Sequence, residues 1–151
     1  MVFINKMTDY AFRIVMYLSG CQRPRSIDEI CEGAGVSSQE TQKVIRKLKS
    51  EKIVEKTCAG YRGYVMVEAP EKISVLRIMK LFMESVNINR CLEADQYCDR
   101  DGPSHGCVVR RYLQEVQSLL EGKLNDKTFQ DLYSQIKIDA RLNEGEKGHE
   151  Q

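Results

Sequence analysis

The residues best suited to chemistry are three cysteines in the second half of the chain. Cys91, Cys98 and Cys107 are separated by six and eight residues, in a segment that also carries glycine, proline and four acidic residues. A catalytic thiol would need one cysteine beside a base, and a typical structural zinc site would use Cys-x-x-Cys pairs. The spacing fits neither pattern. It favours soft metal coordination, with an iron–sulfur cluster of the 4Fe–4S or 2Fe–2S type as the leading interpretation.

Two other interpretations of the thiols remain open. They could bind zinc with His105 as the fourth ligand, or they could work without metal as redox-sensing or plain buried thiols. The matching function classes are a zinc-stapled interaction domain, an electron-transfer iron–sulfur protein and a cluster-free thiol sensor. Catalysis has the least support, because the sequence has no glycine-rich phosphate loop, no Ser/His/Asp arrangement and only two histidines. We therefore expect the protein not to be an enzyme.

Two capping boxes, eleven residues apart, predict a helix-turn-helix in the first half of the chain. Ser26 with Glu29 would begin the first helix, and Ser37 with Glu40 would begin the second. Residues 33–36, two of them glycines, leave room for one tight turn. This arrangement is typical of proteins that read duplex DNA, and it gives the chain a candidate function independent of the cysteines.

The second helix of this motif has one apolar and one hydrogen-bonding side. Amide and guanidinium groups pair with base edges, whereas lysines suit phosphates. Residues 37–62 hold seven basic and three acidic residues, a balance of +4, although the whole chain has a net charge of only +1. An ordinary solvated helix face is the alternative. The predicted DNA contacts, two of them in the following wing, are Ser38, Gln39, Thr41, Gln42, Lys43, Arg46, Lys49, Tyr61 and Arg62.

A β-hairpin is expected directly after the recognition helix. Two β-prone runs, residues 53–57 and 64–68, are joined by six residues that include two glycines. Such a wing would lie against the neighbouring minor groove, where Arg62 can sense its width and potential. The predicted fold class is therefore mainly α with a small β wing.

The remaining segments predict further helices. Thr8 would cap a first helix that ends at Gly20, and Ser74 would begin another. A long helix is expected from Val108 to Glu121, stopped by Gly122, and a last one over residues 126–140. The predicted division is a winged helix-turn-helix domain over 1–86, a cysteine-containing loop over 87–107, two helices over 108–140 and a flexible tail over 141–151, where His149 has little weight as a ligand.

The long helix carries an apolar stripe that needs a partner. Its residues Val109, Tyr112, Val116, Leu119 and Leu120 repeat at three-to-four spacing. With no second domain to cover them, the same helix of another subunit is the economical choice. A two-fold homodimer would place two recognition helices about 34–36 Å apart on a palindromic operator.

Composition and hydropathy indicate the cellular compartment in which the protein is expected. The chain has 151 residues, 42% of them hydrophobic and 30% charged, enough for one domain with a core. No apolar run approaches the ~18 residues of a membrane span. Asp9 and Arg13 interrupt the apolar residues at the start of the chain, whereas a signal peptide has an unbroken apolar core. We expect a cytoplasmic protein without a membrane partner, so its six cysteines should be thiols or metal ligands.

The order of these motifs resembles the Rrf2 family of winged-helix transcription regulators over about residues 1–140. The resemblance is carried by MTDYAFRIVMYL, SIDEICEGAGVSSQETQKVIRKL, GYRGYVMVEAPEKISV and the three-cysteine loop before a long helix. It implies a dimeric DNA-binding regulator, expected to be a repressor, that senses nitric oxide, oxygen or another redox signal, or iron–sulfur status.

Within that family, the opening Thr8-Asp9 pair is similar to the nitric-oxide-sensing branch. The resemblance then implies an iron–sulfur cluster held by Cys91, Cys98 and Cys107 together with Asp9 from the other subunit. Another branch has a histidine ligand three residues after the last loop cysteine, where this chain has Arg110. The loop spacings are longer than is usual in the family, which leaves His105 as a substitute for the fourth ligand.

Overall fold

The computed structural model describes residues 4–95, 98 and 106–146. These residues form a mainly helical fold with one small antiparallel sheet, as predicted. The helices are α1 (Lys6–Ser19), α2 (Ile27–Ala34), α3 (Ser38–Ser50), α4 (Val75–Phe82), α5 (Val108–Asp126) and α6 (Phe129–Glu146). The strands are β1 (Val54–Thr57) and β2 (Gly63–Met66), and short 3-10 turns lie at Pro70–Lys72 and Arg90–Leu92.

Helix α1 lies at the centre of the core and packs against α2, α3, α4 and α6. Its inner side consists of Ala11, Ile14, Val15 and Leu18, which are buried together with the apolar stripe of α3. Phe129, at the start of α6, is also fully buried in this cluster. The last helix is therefore part of the same core as the helix-turn-helix.

Helix α1 begins at Lys6, three residues earlier than the start predicted with Thr8 as its cap. Asn5 is the cap residue, and its Oδ1 accepts from the backbone N–H of Thr8 at 2.8 Å and from the Thr8 hydroxyl at 2.9 Å. Asparagine caps a helix at least as well as threonine. With its hydroxyl satisfied by Asn5, Thr8 is fully buried in the first turn.

The first predicted capping box is complete and the second is half formed. Ser26 Oγ accepts from Glu29 N at 3.2 Å, and Glu29 Oε2 accepts from Ser26 N at 2.9 Å. At the start of α3, Ser37 Oγ accepts from Glu40 N at 3.4 Å, but the Glu40 carboxylate pairs with Lys43 at 3.0 Å instead of reaching back. The turn between them uses Gly35 with φ +65°, a conformation that favours glycine.

The wing is a two-stranded hairpin with a third, single-residue partner. Strands β1 and β2 pair in register from Val54 opposite Met66 to Thr57 opposite Gly63. On the other side of β2, Arg25 N donates to Tyr64 O at 2.9 Å and Tyr64 N donates to Arg25 O at 2.7 Å. A Cβ atom at Gly63 would lie 2.7 Å from the Arg25 carbonyl carbon, so only glycine allows this close approach.

The C-terminal helices differ from the prediction in three boundaries. Helix α5 continues through Gly122, which was expected to stop it, because an exposed glycine costs a helix only about 1 kcal/mol. It ends before Lys127, whose carbonyl accepts from Val75 N at 3.0 Å and so draws the chain into extended pairing. Thr128 then begins α6 through its bonds to Asp131.

Helix α6 extends to Glu146, so the flexible tail predicted from residue 141 is helical for its first six residues. The predicted ligand candidate His149 lies outside the described residues, as does His105. Within the described ranges, no helix is long and apolar enough to cross a lipid bilayer.

Candidate DNA interface and cysteine segment

Helix α3 presents a polar face to solvent. Its apolar stripe, Val44, Ile45 and Leu48, is buried against α1 as predicted. Gln42 Nε2 donates to Ser38 Oγ at 3.2 Å, which links two of the polar side chains along this face. The predicted DNA contacts that the structure leaves exposed on this helix are Ser38, Gln39, Gln42, Lys43, Arg46 and Lys49.

Thr41, the remaining predicted contact on α3, points the other way. It is fully buried, and its hydroxyl donates to Val36 O at 3.5 Å and accepts from Cys31 Sγ at 3.4 Å. The residue lies on the same side of the helix as Val44 and Ile45. Its prediction as a DNA contact was therefore wrong for the described conformation, since the hydroxyl has no solvent access.

A groove lies where α3 meets the wing. Its volume is about 190 Å³, and it is open to solvent. Gln42, Arg46 and Lys49 line it from α3, and Tyr64 lines it from β2. An amide, a guanidinium and an ammonium group thus stand side by side, which is the donor set expected for base edges and phosphates.

The wing tip, residues 58–62, is exposed throughout. Arg62, a predicted minor-groove contact, lies on this tip. Tyr61 is exposed as well, but it contacts its own chain: the Arg23 guanidinium lies 4.7 Å from its ring centroid, and its hydroxyl donates to Glu29 Oε2 at 3.5 Å. Tyr61 was among the predicted DNA contacts, whereas Arg23, which lies 38 residues earlier in the chain, was not.

The three cysteines of the predicted site occupy different settings. Cys91 is half-buried in the 3-10 turn, where its carbonyl accepts from Arg110 Nε at 3.0 Å. Cys98 is half-buried, and Cys107 is the exposed N-cap residue of α5 with no hydrogen bond from its side chain to the helix. All three are free thiols, which suit iron or zinc. Within the described residues, however, no three His, Cys, Asp or Glu side chains are grouped closely enough to hold a metal ion.

Asp9, the predicted fourth ligand, lies on the first turn of α1. Its carboxylate pairs with Arg13 at 2.7 Å, and about half of each side chain is exposed. Exposed pairs of this kind contribute about 0–1 kcal/mol, so the carboxylate can be released at little cost. The described residues of one chain do not assemble Asp9 with the cysteines.

Helix α5 holds the segment that leads into the cysteines. Gln117 is only 8% exposed; its Nε2 donates to Val86 O at 3.2 Å and its Oε1 accepts from Ile88 N at 2.9 Å. The same amide donates to Glu121 at 2.9 Å, and Glu121 also pairs with Lys80 of α4 at 2.9 Å. These bonds from Gln117 and Lys80 hold the pKa of the Glu121 carboxyl below its ordinary value.

Gln117 and Arg110 thus attach residues 86–91 to α5, and sequence reasoning missed both roles. The available signal was a glutamine between the apolar positions Val116 and Leu119–Leu120. A polar side chain within an apolar stripe is buried only when hydrogen-bonded. Its partners are backbone atoms about 30 positions away, which no local pattern indicates.

The apolar stripe predicted on α5 is largely uncovered in one chain. Tyr112, Val109 and Leu119 are between 64% and 75% exposed, and Val108 is 70% exposed. Val116 and Leu120 are partly buried. Exposed apolar side chains aligned on one helix mark a protein interaction surface.

An exposed recognition helix, followed by a two-stranded wing and backed by α1, defines a winged-helix DNA-binding protein. A family model for Rrf2, described as an iron-dependent transcriptional regulator, matches residues 4–135. The chain belongs to the Rrf2 family. It is therefore a transcriptional regulator and not an enzyme, as predicted.

Individual relatives agree with this assignment. Protein rrf2 of Nitratidesulfovibrio vulgaris (strain Hildenborough) is 26% identical over 129 residues, which cover 82% of this chain and 81% of that protein. The structure of CymR (YrzC), the global cysteine regulator of B. subtilis, is similar with a TM-score of 0.71 and 18% identity, covering 89% of this chain and 98% of that one. T. potens IscR has a TM-score of 0.68 and 19% identity, covering 89% and 88%. At these identities the two structures show the same fold.

Proposed function

We propose that the protein is a homodimeric repressor whose cysteine segment holds an iron–sulfur cluster, and that nitric oxide or a redox change at this segment alters its binding to a palindromic operator. The observation that carries the proposal is the attachment of the cysteine segment to α5 by Arg110 and Gln117. The same helix carries the uncovered apolar stripe. Chemistry at the thiols and the dimer surface therefore share one element. Such a regulator would work in the cytoplasm.

The donor set fits a cluster in its chemistry. Cys91, Cys98 and Cys107 would supply three thiolates, and Asp9 of the partner subunit would supply the fourth ligand, with His105 as the substitute. A carboxylate is a harder and more labile ligand for iron than a thiolate, so it offers small molecules a point of access. When bound, the cluster would supply reactivity toward nitric oxide and oxygen that protein side chains lack.

The response would pass through residues of this chain that the structure describes. Arg110 binds the Cys91 carbonyl, and Gln117 binds the backbone at Val86 and Ile88. A change at the thiols therefore shifts the segment relative to α5, and with it the angle between two subunits. A hundredfold change in operator occupancy needs a preference of only about 2.7 kcal/mol for one dimer arrangement.

Purification without air tests the proposal directly. We expect coloured protein that contains iron and sulfide, and a spectrum that changes when nitric oxide or oxygen is added. DNA fragments selected from a random pool should bind the protein before nitric oxide or oxygen is added, and their affinity should change afterwards. Replacing Cys91, Cys98 and Cys107 with serine should abolish the colour, whereas the matched controls Cys21→Ser and Cys58→Ser should retain it.

One result would contradict this account, and a second would correct its ligand set. Iron-free, colourless protein whose DNA binding ignores nitric oxide and redox agents would exclude the cluster. An Asp9→Ala variant with an unchanged spectrum and an unchanged nitric-oxide response would remove Asp9 from the ligand set but leave the cysteines in place.

A metal-free thiol sensor is the second candidate. It is favoured by the exposed Cys107 thiol and by the scattered ligands in the described part of the chain. CymR, whose fold this chain shares, is named as a cysteine regulator. For this candidate, iron-free protein should lose or gain DNA affinity when its thiols are oxidised, and Cys107→Ser should abolish that change. A cluster-dependent regulator would instead lose its response as soon as iron is removed.

A further inference from the structure

A side chain from a distant part of the sequence packs on the wing tip. Arg23, in the connection between α1 and α2, lies with its guanidinium 4.7 Å from the centroid of the Tyr61 ring. Its Nη2 donates to Glu29 Oε1 at 2.7 Å, and the Tyr61 hydroxyl donates to Glu29 Oε2 at 3.5 Å. Three segments of the chain thus meet in one unit, which we name the Arg23–Tyr61–Glu29 cluster.

Backbone bonds fix the Arg23 segment to the wing. Arg25, two residues further on, exchanges two backbone hydrogen bonds with Tyr64 of β2, at 2.9 and 2.7 Å. Gly63 lets the two backbones approach closely enough for this pairing. Because Tyr61 and Tyr64 belong to the same hairpin, Arg23 and the wing tip are held as one body.

The cluster carries a surplus of positive charge on its exposed side. Arg23 and Arg25 both donate to Glu29 Oε1, at 2.7 and 3.3 Å, so two guanidinium groups share one carboxylate. The Arg23 side chain is 48% exposed and that of Arg25 is 25% exposed. Two guanidinium groups against one carboxylate leave a net charge of +1, and Arg23 is the more exposed of the two. A guanidinium already held over an aromatic ring loses little further freedom when it binds a phosphate.

The geometry points to Arg23 as a contact to a backbone phosphate of DNA, with Tyr61 and Glu29 as its positioning residues. The inference rests on the proposed DNA-binding function, since the wing must lie against the duplex. It adds the connection between α1 and α2 to an interface otherwise built from α3 and the hairpin. A phosphate contact is independent of base sequence and is sensitive to salt.

The test is the salt dependence of DNA affinity for Arg23→Gln and Arg23→Lys. The probes are a fluorescent duplex selected from a random pool and an unselected duplex of equal length, titrated from about 50 to about 200 mM salt. For Arg23→Gln we expect the slope of log K against log salt to become shallower by about two units on both duplexes, about one for the contact made by each subunit of the proposed dimer. Affinity should fall roughly tenfold to a hundredfold at about 150 mM salt. Arg23→Lys keeps the charge and should restore most of the slope.

Lys137→Gln is the matched control, because Lys137 lies over a tyrosine ring in the same way, 4.9 Å from the Tyr133 centroid, but on α6. Its slope should equal that of the wild type. An unchanged slope for Arg23→Gln would overturn the inference, and so would a loss confined to the selected duplex, which would indicate a base contact. A wild-type protein that binds neither duplex would refute DNA binding itself, and the Arg23 contact with it.

Discussion

Glu29 has two roles in the fold, as a helix cap and as an ion-pair partner. Its carboxylate accepts from Ser26 N as part of the α2 cap and also from Arg23 and Arg25. The bond from the Ser26 backbone, followed by the bond from Arg23, lowers the pKa of Glu29 from 4.5 to about 2. The residue therefore remains ionised in the folded protein at any pH where DNA binding is measured.

We predict that Glu29 stabilises the fold in a pH-dependent way. Because its folded pKa lies below its unfolded pKa of 4.5, the stabilisation is fully present above pH 4.5 and is lost as the pH falls toward 2. The free energy of unfolding of wild type and Glu29→Gln should differ at neutral pH and converge in that window. Glutamine retains the capping bond, so the difference reports the charge. A difference that is constant between pH 7 and pH 3 would contradict the assignment.

Gln117 is predicted to be the most sensitive polar residue of α5. Replacing it with alanine leaves two backbone groups without their partner, the buried Val86 carbonyl and the partly buried Ile88 N–H. An unsatisfied buried group costs about 1–3 kcal/mol, which urea unfolding can measure.

Gln114→Ala is the control for Gln117→Ala, since it makes the same change on an exposed position of the same helix. It should change stability by less than about 0.5 kcal/mol. Equal effects at both positions would show that Gln117 does not hold the cysteine segment.

At the scale of elements, two glycines are predicted to respond oppositely to alanine. A Cβ at Gly63 would meet Arg25 backbone atoms at 2.7 Å, so Gly63→Ala should force β2 away from that segment and destabilise the protein by about 1–3 kcal/mol. Gly122 lies within α5 with nothing within 4 Å of an added Cβ, so Gly122→Ala should stabilise by up to about 1 kcal/mol.

Thermal unfolding of both glycine variants, with DNA affinity for each, checks this pair. Gly63→Ala should also weaken DNA binding, because the wing tip and Arg23 depend on the same backbone pairing. If Gly63→Ala were as stable as the wild type, the close approach of β2 to Arg25 would be wrong.

Element boundaries were predictable where local chemistry decides them. Ser26 and Ser74 each begin a helix as predicted, because a cap and its amide partner are three residues apart in sequence. Gly122 failed as a stop signal because the end of α5 is set by pairing between Lys127 and Val75, about 50 residues apart. The error at Thr8 was local, since Asn5 is an equally good cap three residues earlier.

The candidate site shows the same division. The face of α3 was predictable, because helical periodicity separates Arg46 from Leu48, and only Thr41 was assigned to the wrong side. The Arg23–Tyr61–Glu29 cluster was not predictable, because it joins residues brought together only by the folded wing. The proposed meeting of the three thiols with Asp9 of a second subunit would depend on contacts between chains, which local sequence patterns do not encode.

At the scale of the whole molecule, α5 connects the parts that a regulator must couple. It is hydrogen-bonded to residues 86–91 through Gln117 and Arg110, and it is ion-paired to α4 through Glu121. Its apolar stripe is exposed to solvent. A second copy of the chain, related by a two-fold axis, would cover that stripe on both subunits at once. The assembly then has two recognition helices whose separation depends on how two α5 helices cross.

Tyr112→Glu is predicted to yield a monomer. Tyr112 lies in the middle of the exposed stripe, so a two-fold interface would place two added carboxylates near each other and desolvate both. Like charges brought together in this way cost several kcal/mol, enough to raise the dimer dissociation constant more than about a hundredfold. Sedimentation equilibrium should show dimeric wild type and monomeric variant.

DNA affinity should fall together with the dimer, because the second recognition helix is then no longer tethered beside the first. Gln114→Glu introduces the same charge on an exposed position two residues further along α5, about 200° around the helix from Tyr112. That control should remain dimeric and bind DNA as the wild type does. A dimeric Tyr112→Glu protein with normal DNA binding would show that the subunits meet through another surface, and the link from the cysteine segment to the operator would then have to bypass α5.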